Sequence, residues 1–322
     1  MGADRAQHDN IRKADPSSVN PCDLPGLAPL RDSLAALSLP PGLLSAVATI
    51  YRSCDLRLWL LDNSARMKIR DGRVAECGGS GEGGSITCVG DVTRWEELHE
   101  CVAFHTQLAA RCWLPTKSWL VNDPKARDGK WQPSESFCLC WGSQKTLQGE
   151  IKNIRKRVSN PGLNQMVCPL ACCLKSMAKR LRKQAPEMAK RGRHATLVLV
   201  TQGKPTDKHG DTGEKQDAEL IRELSDLSQL GSVKIILRLC TDNEEVLDMY
   251  NTLDGKLDEF DVLNDFWGES REVYLHNPWL CYSIGLHRLR ESGLAPSLMD
   301  SLDERPLRYV PSDRTHALPV LE

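Results

Sequence analysis

Two stretches of this sequence end apolar runs on oxygen-bearing side chains, where such groups could hold a cation or a partner. The first is Leu58-Trp-Leu-Leu-Asp62-Asn-Ser64-Ala-Arg66-Met67, and the second is Thr196-Leu-Val-Leu-Val-Thr201-Gln202-Gly203. Each reads as a fully buried parallel strand that delivers polar groups to the carboxyl edge of a sheet. In open α/β sheets that edge is where ligands bind. A third element, Cys168-Pro169-Leu170, places a thiol directly before an apolar helical face.

Other constellations carry less chemistry. Cys138-x-Cys140 and the adjacent Cys172 and Cys173 lack the two Cys-x₂₋₄-Cys pairs of a zinc site. A Cys-x-Cys on a strand points both thiols to one face, whereas adjacent cysteines on a helix point apart. His99-Glu100 opens like a metalloprotease helix, but Ala103 stands where the second His belongs. The glycine run 78–84 lacks the Gly-Lys-Ser/Thr ending of a phosphate loop, and Ser80 within it reads as loop filler. No Gly-x-Ser-x-Gly elbow is present. His276, His287 and Asp300 are expected to be structural.

The elements that position these residues follow from periodicity. Residues 1 to about 25 carry several prolines and read as a mobile arm. Two short helical pieces flank Pro40-Pro41. Arg57–Leu61 is the first core strand, followed by a long excursion expected to be a flexible surface loop. Thr93-Arg-Trp-Glu96 is a capping-box signature opening a helix that ends near Pro115. Strands are expected at Ser118–Val121, Ser136–Trp141, Ala195–Val200 and Val233–Leu239. Helices are expected along Leu170–Leu181, Ala218–Leu230 and Glu244–Leu257. This alternation predicts a doubly wound, mostly parallel α/β sheet with helices on both faces. The domain reading is an N-terminal arm over 1–52, a core domain over 53–240 and a C-terminal extension over 241–322. That extension is expected to wrap back so that Trp267, Trp279 and Tyr282 are buried.

Lysines and arginines number 42 against 43 acids, so net charge gives no bias toward nucleic acid or acidic membranes. Locally, 12 Lys or Arg face one acid, Glu187, between Lys152 and Arg193. A solvated helix face is the usual meaning of such a run, and that helix has no aromatic residues interleaved for base stacking. Nucleic acid is therefore an unexpected partner. Thirteen cysteines in no regular framework, with no secretory h-region and no membrane-length apolar run, lead us to expect a cytoplasmic chain with reduced thiols.

Over roughly residues 53 to 240 the sequence resembles the von Willebrand factor A family. Its cation-holding loops are matched in order: Asp62-Asn-Ser64-Ala-Arg66-Met67 resembles the Asp-x-Ser-Gly-Ser-Met motif, Cys168-Pro-Leu resembles the Thr-Pro-Leu helix start, and Thr201-Gln202-Gly203 resembles Thr-Asp-Gly. The resemblance implies a Rossmann-like fold and a ligand site at Asp62, Ser64, Arg66, Cys168 and Gln202. It also implies Mg²⁺ or Mn²⁺, but here three positions depart from the pattern. Arg66 replaces the second Ser, Cys168 replaces the Thr hydroxyl, and Gln202 replaces the acid. Such ions want hard oxygen ligands with carboxylate charge. A guanidinium about 4 Å from a divalent ion costs roughly 8 kcal/mol at an effective dielectric near 20. The expectation is a degenerate site with no metal and no cofactor, in a non-enzymatic module that binds a protein partner. The alternative is a metal-dependent ligand binder or hydrolase using Asp62 and Ser64. Arg66 either pairs with Asp62 in the ion's place or is an exposed loop residue.

Overall fold

The computed structural model describes residues 50–77, 86–126, 131–254, 256–293, 299 and 301–307. The N-terminal arm up to residue 49, the two helical pieces beside Pro40-Pro41, the glycine run with Ser80, and Asp300 lie outside the described residues.

Among the described residues eight strands form two sheets. The main sheet holds β1 (Cys54–Leu61), β4 (Thr116–Leu120), β5 (Phe137–Leu139), β6 (His194–Thr201), β7 (Val233–Leu239) and β8 (Phe260–Leu263), in the order β5-β4-β1-β6-β7-β8. All neighbours run parallel except β5, which is antiparallel to β4. β1 and β6 are buried on both faces because both alternating residue sets are apolar. Trp59, Leu61, Val198 and Val200 pack beneath α1 (Arg94–Cys112) and α2 (Gln144–Ser159). Leu58, Leu60, Leu197 and Leu199 pack beneath α3 (Leu170–Lys190), α4 (Glu214–Ser228) and α5 (Glu244–Asp254). The chain is thus a mostly parallel α/β sheet with helices on both faces.

Three features differ from the sequence reading. The excursion after β1 is built around an antiparallel ladder of β2 (Gly72–Cys77) and β3 (Ile86–Val92). Its anchor is Arg73, which donates to Asp265 at 2.6 Å and to Asp242 at 3.0 Å. The sheet does not stop at residue 240, because β8 pairs with β7 and completes the edge. Past β8 come α6 (Phe266–His276) and α7 (Ile284–Ser292), yet Trp279 is 61% exposed, and Trp267 and Tyr282 are only half-buried. Ion pairs, more than aromatic burial, fix this region.

Arg290 on α7 is fully buried and donates to Glu269 at 2.6 Å, Asp303 at 3.0 Å and Asp261 at 3.2 Å. One guanidinium cannot offset three carboxylates. Burial, with Asp303 adding to it against the pull of Arg290, pushes the Glu269 carboxyl up from 4.5 to about 8. The native fold thus keeps a proton that the unfolded chain gives up near 4.5. Its contribution is complete below that value and disappears as pH rises through about 8. A Glu269→Gln variant, neutral at every pH, should remove this dependence. In urea unfolding, the stability of wild type relative to E269Q should fall between about pH 5 and pH 8 and level off above. A difference independent of pH would contradict the assignment.

Candidate functional site

Strand order reverses between β1 and β6, since β4 lies on one side of β1 and β6 on the other. At such a switch point the loops leaving the two strands splay apart and form a crevice at the carboxyl edge. Asp62 leaves β1 and Thr201–Gly203 leaves β6, so the sequence-derived residues meet there.

Asp62 is wholly buried. Its Oδ1 accepts from the Ser64 N–H at 2.8 Å, and its Oδ2 accepts from the Thr201 hydroxyl and the Gln202 N–H, each at 3.3 Å. The Cys168 thiol also faces it. Burial first, and then the Asp62 charge, push that thiol well above the usual range, so it stays protonated. Cys168 is held in turn by a reciprocal pair, its N–H donating to Thr206 Oγ1 at 2.8 Å and its carbonyl accepting from the Thr206 N–H at 3.0 Å. The second and third loops are therefore stitched together beneath the surface.

Asn63 extends the framework. Its side chain accepts from the Asn122 N–H at 2.8 Å and donates to the carbonyls of Asn122 at 2.9 Å and Pro161 at 2.7 Å. The residue after Asp62 thus locks the first loop to the end of β4. Tyr250 on α5 donates its hydroxyl to the Gly203 carbonyl at 3.2 Å.

Arg94, at the first turn of α1, was missed from sequence. Its guanidinium grips Asp71 through two bonds of 2.6 and 2.7 Å and donates to Gln202 Oε1 at 3.2 Å. The hydrogen bond from Arg94 is the main reason Asp71 titrates below its ordinary value. The Gln202 side chain is thereby tied to an internal cation. The sequence signal was slight: Arg94 is hidden inside a capping box, which is present as read, with Glu96 N–H donating to Thr93 Oγ1 at 3.1 Å.

Arg66 sits on a 3-10 turn, Ala65–Lys68, and is half-exposed. Its Nη1 lies 3.9 Å from where a Cβ on Gly203 would stand, so the side chain reaches across to the third loop. Among the described residues no ion pair joins it to Asp62. The pairing considered from sequence is replaced by neutral donors around the carboxylate. Ile69, 45% exposed, and Met166, 57% exposed, lie on the loops that carry Arg66 and Cys168.

The donor set does not fit Mg²⁺ or Mn²⁺. It offers one carboxylate, one hydroxyl, a protonated thiol and an amide oxygen already accepting from a guanidinium, where a hard octahedral ion wants charged oxygens. Elsewhere, Cys138 lies on β5, but Cys140 falls beyond it with φ +56 and is buried against the Ala109 carbonyl. The two thiols do not share a strand face. Cys172 and Cys173 do diverge, one half-exposed and one buried. No described helix is long and apolar enough to cross a membrane. Comparison with protein-family models and with curated proteins returns no match for this chain.

Removing the acceptor should be costly. Asp62→Ala strands two buried N–H groups and a hydroxyl, and should lower unfolding free energy by about 2–4 kcal/mol. The near-isosteric Thr206→Val, which removes the hydroxyl half of the stitch and leaves the Cys168 N–H without its acceptor, should cost about 1–2 kcal/mol. Denaturant midpoints with unchanged m-values are the check, and an Asp62→Ala loss under about 1 kcal/mol would contradict the network.

Proposed function

We propose that this chain is a non-enzymatic protein-binding module of von Willebrand A type, engaging a partner at the carboxyl edge of its sheet without a functional divalent cation. The observation that carries the reading is the state of Asp62. Its carboxylate is wholly buried and both oxygens accept from neutral groups of the protein itself. The order of the three loops, their convergence at the switch point of a mostly parallel sheet, and the replacement of the acid by an Arg94-bound Gln202 support it. What this rim offers a partner is a half-exposed cation, Arg66, beside two exposed apolar side chains, Ile69 and Met166. A partner segment pairing a carboxylate with an apolar residue matches that chemistry.

A second reading rests on one atom. Ser64 Oγ is buried with no hydrogen-bond partner, and a hydroxyl beside a carboxylate is what a metal-dependent binder or hydrolase would use. The two readings separate on cation dependence.

Titrating Mg²⁺ and Mn²⁺ against the full chain should leave its melting temperature unchanged. Affinity captures run in parallel with wild type and Arg66→Glu, each with and without chelator, should show partners retained in chelator and depleted about tenfold or more by R66E. A saturable rise in melting temperature, or loss of the same partners on chelation, selects the metal reading. Equal recovery with R66E removes Arg66 from the interface.

A further inference from the structure

Basic residues crowd the β4–β5 side of the molecule from both layers, on α2 and on α3. The basic helix has no aromatics of its own, but the fold supplies them from elsewhere. Lys117 and Trp119 lie two residues apart on β4 and point to the face that α3 packs on. Both are half-exposed, as is Cys138, which pairs with Lys117 in register, so among the described residues no helix seals this strip of sheet. Trp141 follows β5 and is 43% exposed. At the other end, Trp131 donates its indole N–H to the Val121 carbonyl at 3.1 Å, just past β4.

The result is a row of indoles along the strand, each accompanied by a cation. The Lys117 ammonium lies 5.1 Å from the Trp119 ring centroid and 5.8 Å from that of Trp141. The Arg180 guanidinium, from α3, is 5.6 Å from Trp141, and Lys208 is 5.4 Å from Trp131. From Lys117 to Val121 the strand advances about 13 Å, room for about two nucleotides of an extended strand. Of the neighbouring carboxylates, Glu135 pairs with Arg157 and Glu219 with Lys175, while Glu150 accepts from the Thr146 hydroxyl and the Gly142 N–H and pairs with no cation among the described residues.

We infer that this track is a binding surface for single-stranded nucleic acid, in which bases stack on Trp141 and Trp119 while Lys117 and Arg180 turn from the rings to the phosphates. Flat aromatic faces flanked by mobile cations are what sequence-tolerant single-strand binding requires. A duplex hides its base faces and gains only the charge term. The proposal departs from the expectation that nucleic acid is not a partner: the basic helix carries no rings of its own, and those of the track come from β4 and the segments flanking β5.

The test is fluorescence anisotropy of a labelled oligouridylate of about 15 nucleotides on the full chain at low salt. Binding is expected to weaken with salt, to fall roughly tenfold in Trp141→Ala and to be largely kept in Trp141→Phe. A Lys117→Ala/Arg180→Ala double variant should flatten the salt slope by about 1.4. Trp279→Ala, at an exposed indole away from β4, should leave binding unchanged. Melting temperatures of the variants show whether each is folded. Absence of binding at low salt, equal affinity for a duplex of the same length, or a folded W141A with wild-type affinity would overturn the proposal. So would a proline-rich peptide that binds with the same loss in W141A while the oligonucleotide does not, which would make the track a protein site.

Discussion

A carboxylate sealed at the switch point of the sheet constrains everything around it. Asp62 has no access to water, so its charge is tolerable only while protein donors surround it. Those donors come from its own loop and from the loop after β6, and the thiol beside it comes from the segment before α3. Three loops remote in sequence are therefore held in one arrangement by one acceptor. The same requirement explains the stitches beneath it: Cys168 and Thr206 exchange hydrogen bonds, and Asn63 and Asn122 do likewise between the first loop and β4. An inward-facing acid thus builds a rigid floor beneath the rim that carries Arg66.

A second buried charge system fastens the C-terminal helices. Glu291 on α7 receives Arg288 at 2.7 Å, Arg238 of β7 at 3.1 Å and His105 of α1 at 3.3 Å. Burial alone would raise this acid, but Arg288 first, then His287 at 3.2 Å and His105, overcome it and hold Glu291 well below the usual carboxylate range. His105 is pushed down to about 4, by burial above all, so it sits there as a neutral donor. One turn of α7 thus presents Arg290 to the acids of β8 and α6, and Glu291 to the bases of α1 and β7. Breaking either pair would strand a charge in the interior, which costs more than the pair contributes. The helices are held where they are by this complementarity of sign, and a more apolar surface could have packed less specifically.

The sheet was legible in the sequence because burial on both faces writes a long apolar run. β6 and β7 were found within a residue or so of their ends for that reason. The capping box at Thr93 was legible because it is local, involving residues three apart. The β2–β3 ladder was not, since the glycine run 78–84 interrupts its pattern and its anchor, Arg73 on Asp265, spans 192 positions. α2 escaped notice because its apolar stripe is thin, with only Ile154 and Val158 buried. β8 was lost inside a segment read as a tail, being four residues long. Within the site, motif order found Asp62, Ser64, Cys168 and Gln202, whereas Arg94, Thr206 and Asn122 could only be found in space. Arg57 shows the limit most plainly: it reads as the polar edge of a strand, yet it is fully buried, 5.5 Å from the Trp59 ring centroid.

The rim around Arg66 and the indole track meet at the end of β4. Asn122, one residue past Val121, holds Asn63 and so the first loop; Val121 itself accepts from Trp131, the last indole of the track. Two consecutive backbone positions therefore carry one contact toward each surface. The strand beneath them pairs with β1 along its length and with β5 over Thr116–Ser118, so it is one stiff element beneath both surfaces. A displacement of Trp131 would reach the Asp62 loop through a single peptide unit. Coupling of this kind needs no long pathway, only a shared stiff element with two faces. The place of β4 in a doubly wound sheet, between β1 and the short edge strand β5, supplies it.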